Sequence, residues 1–428
     1  MQVAVTPSIL NGTIKVPASK SMMQRVCAAA LLHKGTCTIS NIGTSNDDKA
    51  AVNIIEQLGA IVKDVSTSTI EITSDGRIIP QGNIDCGESG LSARLFTVVA
   101  ALSSYEITIT GSGSLLNRSM TPFEDLFQQL DVTIKDFSGK LPITIKGPLK
   151  PKTIQVDGSL SSQFLSGLLI AYSFTAKNKV SIKVTDLVSR PYIDMTLEVL
   201  QHFGCQVVNH NYEEFVVTPV ATTENLTFDV EGDWSSASFW LVAAAINGVV
   251  ELKGLNKNSA QADKAILKVL KDTGVDYIVE GGAVSVRSLS SRPNSFSFDA
   301  THAPDLFPIL AIYAALCNGE SAIKGLRRLS QKESDRVVSI TAMLERFGVS
   351  FSIKEDVLHI KGQQVLSAAT IDSYNDHRIA MAATIGALNA DGACVITGAE
   401  AVNKSYTDFY KNLIALGGNC TIEMEAGK

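Results

Sequence analysis

The sequence repeats itself, and the repeat constrains the fold more than any single motif. Six segments share one plan: a short apolar strand, a knot of Gly, Ser, Asp, His or Lys, then a helix rich in Ala and Leu. They open at Ile14 (IKVPASKSMMQRVCAAALL), Ile84 (IDCGESGLSARLFTVVAAL), Ile154 (IQVDGSLSSQFLSGLLIAY), Phe228 (FDVEGDWSSASFWLVAAAI), Phe298 (FDATHAPDLFPILAIYAAL) and Ile371 (IDSYNDHRIAMAATIGAL). Successive starts lie 70, 70, 74, 70 and 73 residues apart. A period of this length means a supersecondary unit used over and over. The helix in each copy is apolar on most faces, so it is expected to be buried.

The remainder of each copy repeats too. A strand (TCTISNI, EITITGS, VSIKVTD, VVELKGL, SAIKGLR, CVITGAE) leads through a polar loop to an amphipathic helix. Four of these helices stop at Gly59, Gly204, Gly274 and Gly348, as left-handed C-terminal caps would. Alternating strands such as LPITIKG and FVVTPV follow. Each unit reads β-α-β-α-β-β, an α/β fold. The sixth copy ends at TIEMEAGK, one strand short, while the chain begins with QVAVTPSIL, a strand lacking a helix before it. The N-terminal strand is therefore expected to complete the sixth unit. That arrangement predicts an N-terminal three-unit domain over 19–231 and a C-terminal one made of 1–18 plus 232–428. The chain would cross between them near 17–19 and 230–233, giving a hinge and a ligand cleft that closes on binding.

Composition narrows the classes. Apolar residues at 45% and charged residues at 19% are ordinary for a globular chain and too apolar for a disordered one. No basic leader or long apolar run suggests secretion or a membrane span, so a cytoplasmic, soluble protein is expected. Seven scattered cysteines without a CxxC pair suit buried, reduced thiols. A net charge of −6 argues against a general nucleic-acid surface, so an anion site must come from cations gathered locally.

They gather in the loops. Lys20, Arg25, Arg94, Arg118, Arg190, Lys332, Arg336, Arg378 and Lys404 fall at helix entrances or in the loops opposite. A surface cation taken singly usually does nothing. Recurrence at equivalent turns is different, because a helix N-terminus already offers unpaired N–H groups and a positive dipole end. Phosphate and carboxylate are the natural ligands, and arginine forks onto either. A repeat scaffold that only bound other proteins would show polar loops without this bias. Ser161, Ser162 and Gln163 open a helix where they could grip phosphate or merely cap it. Ser235 and Ser236 have the same look, but no basic residue adjoins them in sequence, so a cap is expected. Asp305 could cap a helix or stand as a cleft carboxylate, and Glu333 could be an ion-pair partner or a base tuned by Lys332 and Arg336.

Several chemistries are excluded. Ser19-Lys20-Ser21 lacks the glycines of a GxxxxGK[ST] loop, which argues against a nucleotide kinase. The six histidines show no HxxxH or HExxH spacing, so no built-in metal is expected. Neither GxSxG nor GxGxxG occurs.

Seven motifs, in order, carry a resemblance across essentially the whole chain: PASKSMMQR (Pro17–Arg25), VDGSLSSQFLSGLL (Val156–Leu169), DLVSRPYIDMTL (Asp186–Leu197), VEGDWSSAS (Val230–Ser238), HAPD (His302–Asp305), QKESDR (Gln331–Arg336) and YNDHRIAM (Tyr374–Met381). The chain resembles the 5-enolpyruvylshikimate-3-phosphate synthases of the enolpyruvyl transferase family. The resemblance implies two inside-out α/β domains with a cleft between them and transfer of the enolpyruvyl group of phosphoenolpyruvate to the 5-hydroxyl of shikimate 3-phosphate. It implies no metal, no organic cofactor, no nucleic acid or membrane partner, and a monomer. By position, Lys20, Ser21, Arg25, Ser161, Ser162, Gln163, Ser189, Tyr192, Asp305 and Lys332 would hold shikimate 3-phosphate. Lys20, Gly90, Arg118, Gln163, Arg336, Arg378 and Lys404 would hold phosphoenolpyruvate. The catalytic roles would fall to Asp305, Glu333 and Lys20.

The second copy departs from the family's pattern. Where a GNAGTxxRP-like turn is usual, this chain has Gly87-Glu88-Ser89-Gly90-Leu91-Ser92-Ala93-Arg94-Leu95. Glu88 replaces a neutral amide and would repel an anion unless a cation, for which Arg328 is a candidate, pairs with it. Weaker binding of the phosphonate inhibitor glyphosate is expected. The sister enzyme acting on UDP-N-acetylglucosamine carries a cysteine in the second unit's loop, and Gly111–Thr121 has none.

Overall fold

Strands and helices of the computed structural model, which describes residues 1–135, 137–219, 225–330 and 332–423, build six four-stranded sheets with one shared order. Gln331, which opens the QKESDR run, and the residues of TIEMEAGK beyond Glu423 lie outside the described residues. In the third copy Ile154–Asp157 runs parallel to Val180–Thr185, which pairs antiparallel with Glu214–Thr218, which pairs antiparallel with Gln206–His210. A parallel first pair demands a crossover, and the buried helix Ser162–Thr175 supplies it. The β-α-β-α-β-β reading holds in all six.

Gln2–Thr6 lies antiparallel between Cys394–Thr397 and Asn419–Glu423, providing the strand that the sixth copy lacks. The opening strands of the first and fourth copies, however, are exchanged. Leu10–Lys15 pairs in parallel with Gly248–Lys253 of the fourth copy, and Leu226–Asp229 pairs in parallel with Lys34–Ser40 of the first. A short apolar strand in a parallel pair satisfies either sheet equally, so local pattern cannot assign it. The exchange coincides with the division of the chain into two compact units, one of Met1–Pro17 with the chain from Gly232 onward, the other Ala18–Glu231.

Within the unit Ala18–Glu231 the helices Lys20–Leu32, Gly90–Ala100 and Ser162–Thr175 pack on one another, with sheets outside them. Every residue of Gly90–Ala100 is buried. Small residues allow this: a Cβ on Gly167 would stand 2.8 Å from the carbonyl oxygen of Leu95. The other unit repeats the arrangement with Trp234–Asn247, Phe307–Leu316 and His377–Ala387. The four predicted cap glycines all have positive φ, from 72° to 107°. Gly417 (φ 87°) and, in the second copy, Asp131 (φ 56°) occupy the corresponding turns. Cys27, Cys37, Cys86, Cys205, Cys317 and Cys394 are buried. No helix among the described residues is long and apolar enough to cross a membrane.

Candidate active site

Arg336 organises the polar groups of the unit that begins at Gly232. It is the first residue of the helix Arg336–Arg346, capped by Asp335, and its side chain is fully buried. Nη1 donates to Asp305 Oδ1 at 2.7 Å, Nη2 to Glu333 Oε2 at 2.6 Å, and Nε to Asp376 Oδ2 at 2.8 Å. A planar guanidinium spreads five N–H donors over three nitrogens, which lets it serve three separated carboxylates at once. Burial alone would lower its pKa, but Asp376, Glu333 and Asp305 raise it well above the ordinary value.

Asp305 lies in the one-turn helix Pro304–Leu306, whose N-cap is Ala303, so Asp305 is not the capping residue. Its second oxygen accepts from Arg378 Nη2 at 3.0 Å, and Lys332 Nζ lies 3.8 Å from its first. Burial alone would raise this carboxyl, but Arg378, Lys332 and Arg336 hold it well below the usual carboxylate range. Burial lowers Lys332 to about 8, with Asp305 opposing. Both readings of Glu333 keep their footing, since it is an ion-pair partner of Arg336 and stands beside Asp305. Lys404 Nζ donates to the carbonyl of Asn375 at 2.6 Å, three residues before Arg378. Tyr374 and Asn375 both have positive φ, which turns the chain into the helix His377–Ala387.

The unit Ala18–Glu231 holds the other set. Ser19 caps the helix Lys20–Leu32 by accepting from the N–H of Met22, and Lys20 Nζ pairs with Asp47 Oδ2 at 2.8 Å. Arg25, one turn on, is buried. Its Nε donates to Thr196 Oγ1 at 2.8 Å, Nη1 to the carbonyl of Ser21 at 2.7 Å, and Nη2 to the carbonyl of Tyr192 at 3.1 Å. Burial lowers its pKa to about 10. Ser161 accepts from the N–H of Gln163, so it is a cap, and Ser162 follows it, buried. Gln163 Oε1 accepts from Arg94 Nη1 at 2.9 Å, and the Arg94 guanidinium lies 5.5 Å from the Phe164 ring centroid. Ser189 opens the helix Arg190–His202 with φ 55°, a conformation unusual for a residue with a side chain. Arg190 stacks over Tyr212 at 5.1 Å.

Gly90 has a steric reason to be glycine, because a Cβ there would stand 2.5 Å from Arg118 Nη1. Glu88 turns toward the following loop, where Oε2 accepts from the N–H of Ser114 at 3.3 Å. Arg328 belongs to the other unit, where its charge acts on Lys332. Leu91 and Leu95 are buried within the helix Gly90–Ala100.

Sequence reasoning misread one residue and passed over others. Ser235 is not the cap: Asp233 accepts from the N–H of Ser236, while Arg378 Nη1 donates to the Ser235 hydroxyl. A basic residue does adjoin it, from 143 positions away. Asp376, inside the YNDHRIAM motif, and Asp47, in the capped start of Asn46–Gln57, are the partners of Arg336 and Lys20. An acidic residue at a helix start was the available signal for each.

Solved structures share this architecture of six β-α-β-α-β-β units. EPSP synthase from Acinetobacter baumannii superposes with a TM-score of 0.82 at 24% identity, covering 99% of this chain and 100% of that one. The enolpyruvyl transferase NikO from Streptomyces tendae does so at 0.77 and 16%, covering 98% of each. At such identities the likeness concerns the fold. The sequence goes further: residues 5–413 match the EPSP synthase (3-phosphoshikimate 1-carboxyvinyltransferase) family. Proteins named 3-phosphoshikimate 1-carboxyvinyltransferase are 35% identical over 427 residues in Clostridium kluyveri (100% of this chain, 99% of that protein) and 33% over 425 in Clostridium novyi (97% of each). The chain belongs to the EPSP synthase family.

Proposed function

We propose that this protein transfers the enolpyruvyl group of phosphoenolpyruvate to the 5-hydroxyl of shikimate 3-phosphate and releases phosphate. The observation that carries this reading is the pair of carboxylates, Asp305 and Glu333, held on one buried arginine beside Arg378 and Lys332 in a member of this family. The substrates bring phosphate and carboxylate groups, which are the partners that these cations can exchange for Asp305 and Glu333.

The chemistry follows from that exchange. Asp305, held low by its cations, is a poor base until an anion engages Arg336, Arg378 or Lys332 and releases it. It then takes the proton of the 5-hydroxyl, whose oxygen attacks C2 of phosphoenolpyruvate while Glu333, displaced from Arg336 and carrying a proton taken up from solvent, delivers that proton to the methylene carbon. Collapse of the tetrahedral intermediate breaks the C2–O bond to phosphate, returns a methyl proton to Glu333, and gives the proton held by Asp305 to the departing phosphate. Lys20 stabilises the charge that develops on the transferring group. Ser21, Arg25, Ser161, Ser162, Gln163, Ser189, Tyr192 and Lys332 are assigned to shikimate 3-phosphate, with Lys20 and Asp305 contributing. Gly90, Arg118, Gln163, Arg336, Arg378 and Lys404, with Lys20, are assigned to phosphoenolpyruvate. The protein acts as a cytoplasmic monomer with no cofactor.

A phosphate-release assay with phosphoenolpyruvate and shikimate 3-phosphate, run beside one with UDP-N-acetylglucosamine, tests the reading. Release with the first pair alone supports it; release only with the nucleotide sugar overturns it. Two further outcomes are expected. Gly90→Ala must displace the Arg118 guanidinium, and it should raise KM for phosphoenolpyruvate roughly tenfold, as loss of a charged hydrogen bond does. Glyphosate inhibition should be weaker than in relatives with the usual turn, because Glu88 adds negative charge there and Leu91 and Leu95 add bulk. An inhibition constant equal to theirs would refute this.

A further inference from the structure

We propose that the unit Ala18–Glu231 carries a second anion site, at the opposite ends of its buried helices from the residues assigned to substrate, and that it takes a small organic polyanion of the nucleoside diphosphate kind. This inference stands apart from the function proposed above.

A cleft of about 910 Å³ opens there. That is the size of a small-molecule site. Leu102, Ser103 and Thr175 line it, so it lies where the helices Gly90–Ala100 and Ser162–Thr175 end. Gly90, Ser162 and Gln163 open those same helices. At 11 and 14 residues the helices set the two ends roughly 16–21 Å apart. One wall is the segment 147–153, which is tied to the helices. The N–H of Leu149 donates to the carbonyl of Ala101 at 2.7 Å, and the Tyr172 hydroxyl to the carbonyl of Lys152 at 2.9 Å. A Cβ on Gly147 would stand 1.9 Å from that Ala101 oxygen, so the strap needs glycine to come this close.

The lining divides by chemistry. Leu149 and Val180 are buried and Ile78 and Leu102 half-buried, while every charged residue among them is a cation, and each is exposed: Arg77, Lys150, Lys152, Lys177 and Lys179. Arg77 pairs with Asp75 and Lys152 with Asp131. Lys150, Lys177 and Lys179 have no acidic partner among the described residues. The plainer reading is that these lysines only offset the helix ends. Three ends meet here, since the last carbonyl of Lys20–Leu32 lies 3.0 Å from where a Cβ on Gly76 would stand. Each end carries about half a negative charge, so the three leave roughly half of the lysine charge unmatched. That surplus arises in a chain of net charge −6, and apolar walls focus its field. The charge calls for a ligand with more than one negative group. The walls call for a body that gains by leaving water. A nucleoside diphosphate has both.

Titration calorimetry with ADP and with pyrophosphate, at about 0.1 M salt, tests the site. ADP should bind the wild type, and roughly tenfold more tightly than pyrophosphate, because its base covers the apolar walls. Combining Lys150→Glu, Lys177→Glu and Lys179→Glu should weaken ADP at least tenfold, with the corresponding triple glutamine variant in between. All three side chains are exposed, so the thermal midpoint and the rate of phosphate release should keep their wild-type values. ADP held by the substrate-binding cations would bind the triple glutamate variant as tightly as the wild type, which overturns the proposal. Absence of ADP binding at millimolar concentration overturns it too, as does pyrophosphate binding as tight as that of ADP. If neither protein releases phosphate from the substrates, the proposed function fails, while the ADP titrations still decide this site.

Discussion

Asp305→Ala is expected to lower kcat by roughly 10²-fold or more while leaving KM for phosphoenolpyruvate unchanged or reduced. The two halves have different causes. The fall in kcat is the loss of the group that takes the hydroxyl proton, for which no other carboxylate stands on both Arg336 and Arg378 among the described residues. The unchanged or lower KM follows because Asp305 competes with the substrate for those same cations. Removing it leaves Arg336 with Glu333 and Asp376, but leaves Arg378 with more of its charge available to an incoming phosphate or carboxylate. A purely binding role for Asp305 predicts the reverse pattern, with KM raised and kcat preserved. Steady-state phosphate release, with each substrate varied at saturation of the other, separates the two. Turnover within a few-fold of wild type would remove Asp305 from the chemistry and return it to the status of a counter-ion.

How far this could be read from the sequence depended on whether the cause was local. The alternation of apolar strand, polar knot and Ala-rich helix is written within about 20 residues each time, so six units and their element order follow directly. The caps at Gly59, Gly204, Gly274 and Gly348 were legible because glycine marks a left-handed turn. The same turn at Asp131 was not, because aspartate tolerates that conformation without advertising it. The exchanged strands were illegible for another reason: Leu10–Lys15 and Leu226–Asp229 are equally good parallel partners, and only the path of the whole chain decides between them. The site shows the same divide. Arg336, Arg378 and Lys332 could be gathered as cations at helix entrances. That Ser235 receives Arg378 and that Asp376 receives Arg336 across 40 residues are facts of tertiary contact. A serine beside a helix start carries no local mark distinguishing a cap from a ligand.

The largest expected effect on stability comes from Arg336. Its side chain and that of Asp376 are both wholly buried, and Asp305 and Glu333 lean on the same guanidinium. Arg336→Met keeps volume but strands Asp376 without its cation in a place that water does not reach. Breaking a buried pair from one side costs about 3–5 kcal/mol, and here two further carboxylates lose a partner. A thermal midpoint lower by roughly 10 °C is expected, since a unit of this size shifts by about 2–4 °C per kcal/mol. Arg336→Lys should recover only part of the loss, because one ammonium cannot fork onto three carboxylates. The pH dependence has a definite sign. Asp305 is held below the ordinary range, so its contribution to stability is fully present above its unfolded-state value of about 3.9 and is lost as pH falls from there toward the folded value. Replacing Arg336 removes part of that depression, so the gap between variant and wild type should be widest near neutrality and narrow as acid protonates the carboxylates. Urea midpoints measured at about pH 7 and about pH 2.5, on either side of the unfolded-state value, test this directly. A gap that is constant across that range would show that the penalty is one of packing alone, and that the charge of Arg336 is not what holds the three carboxylates in place.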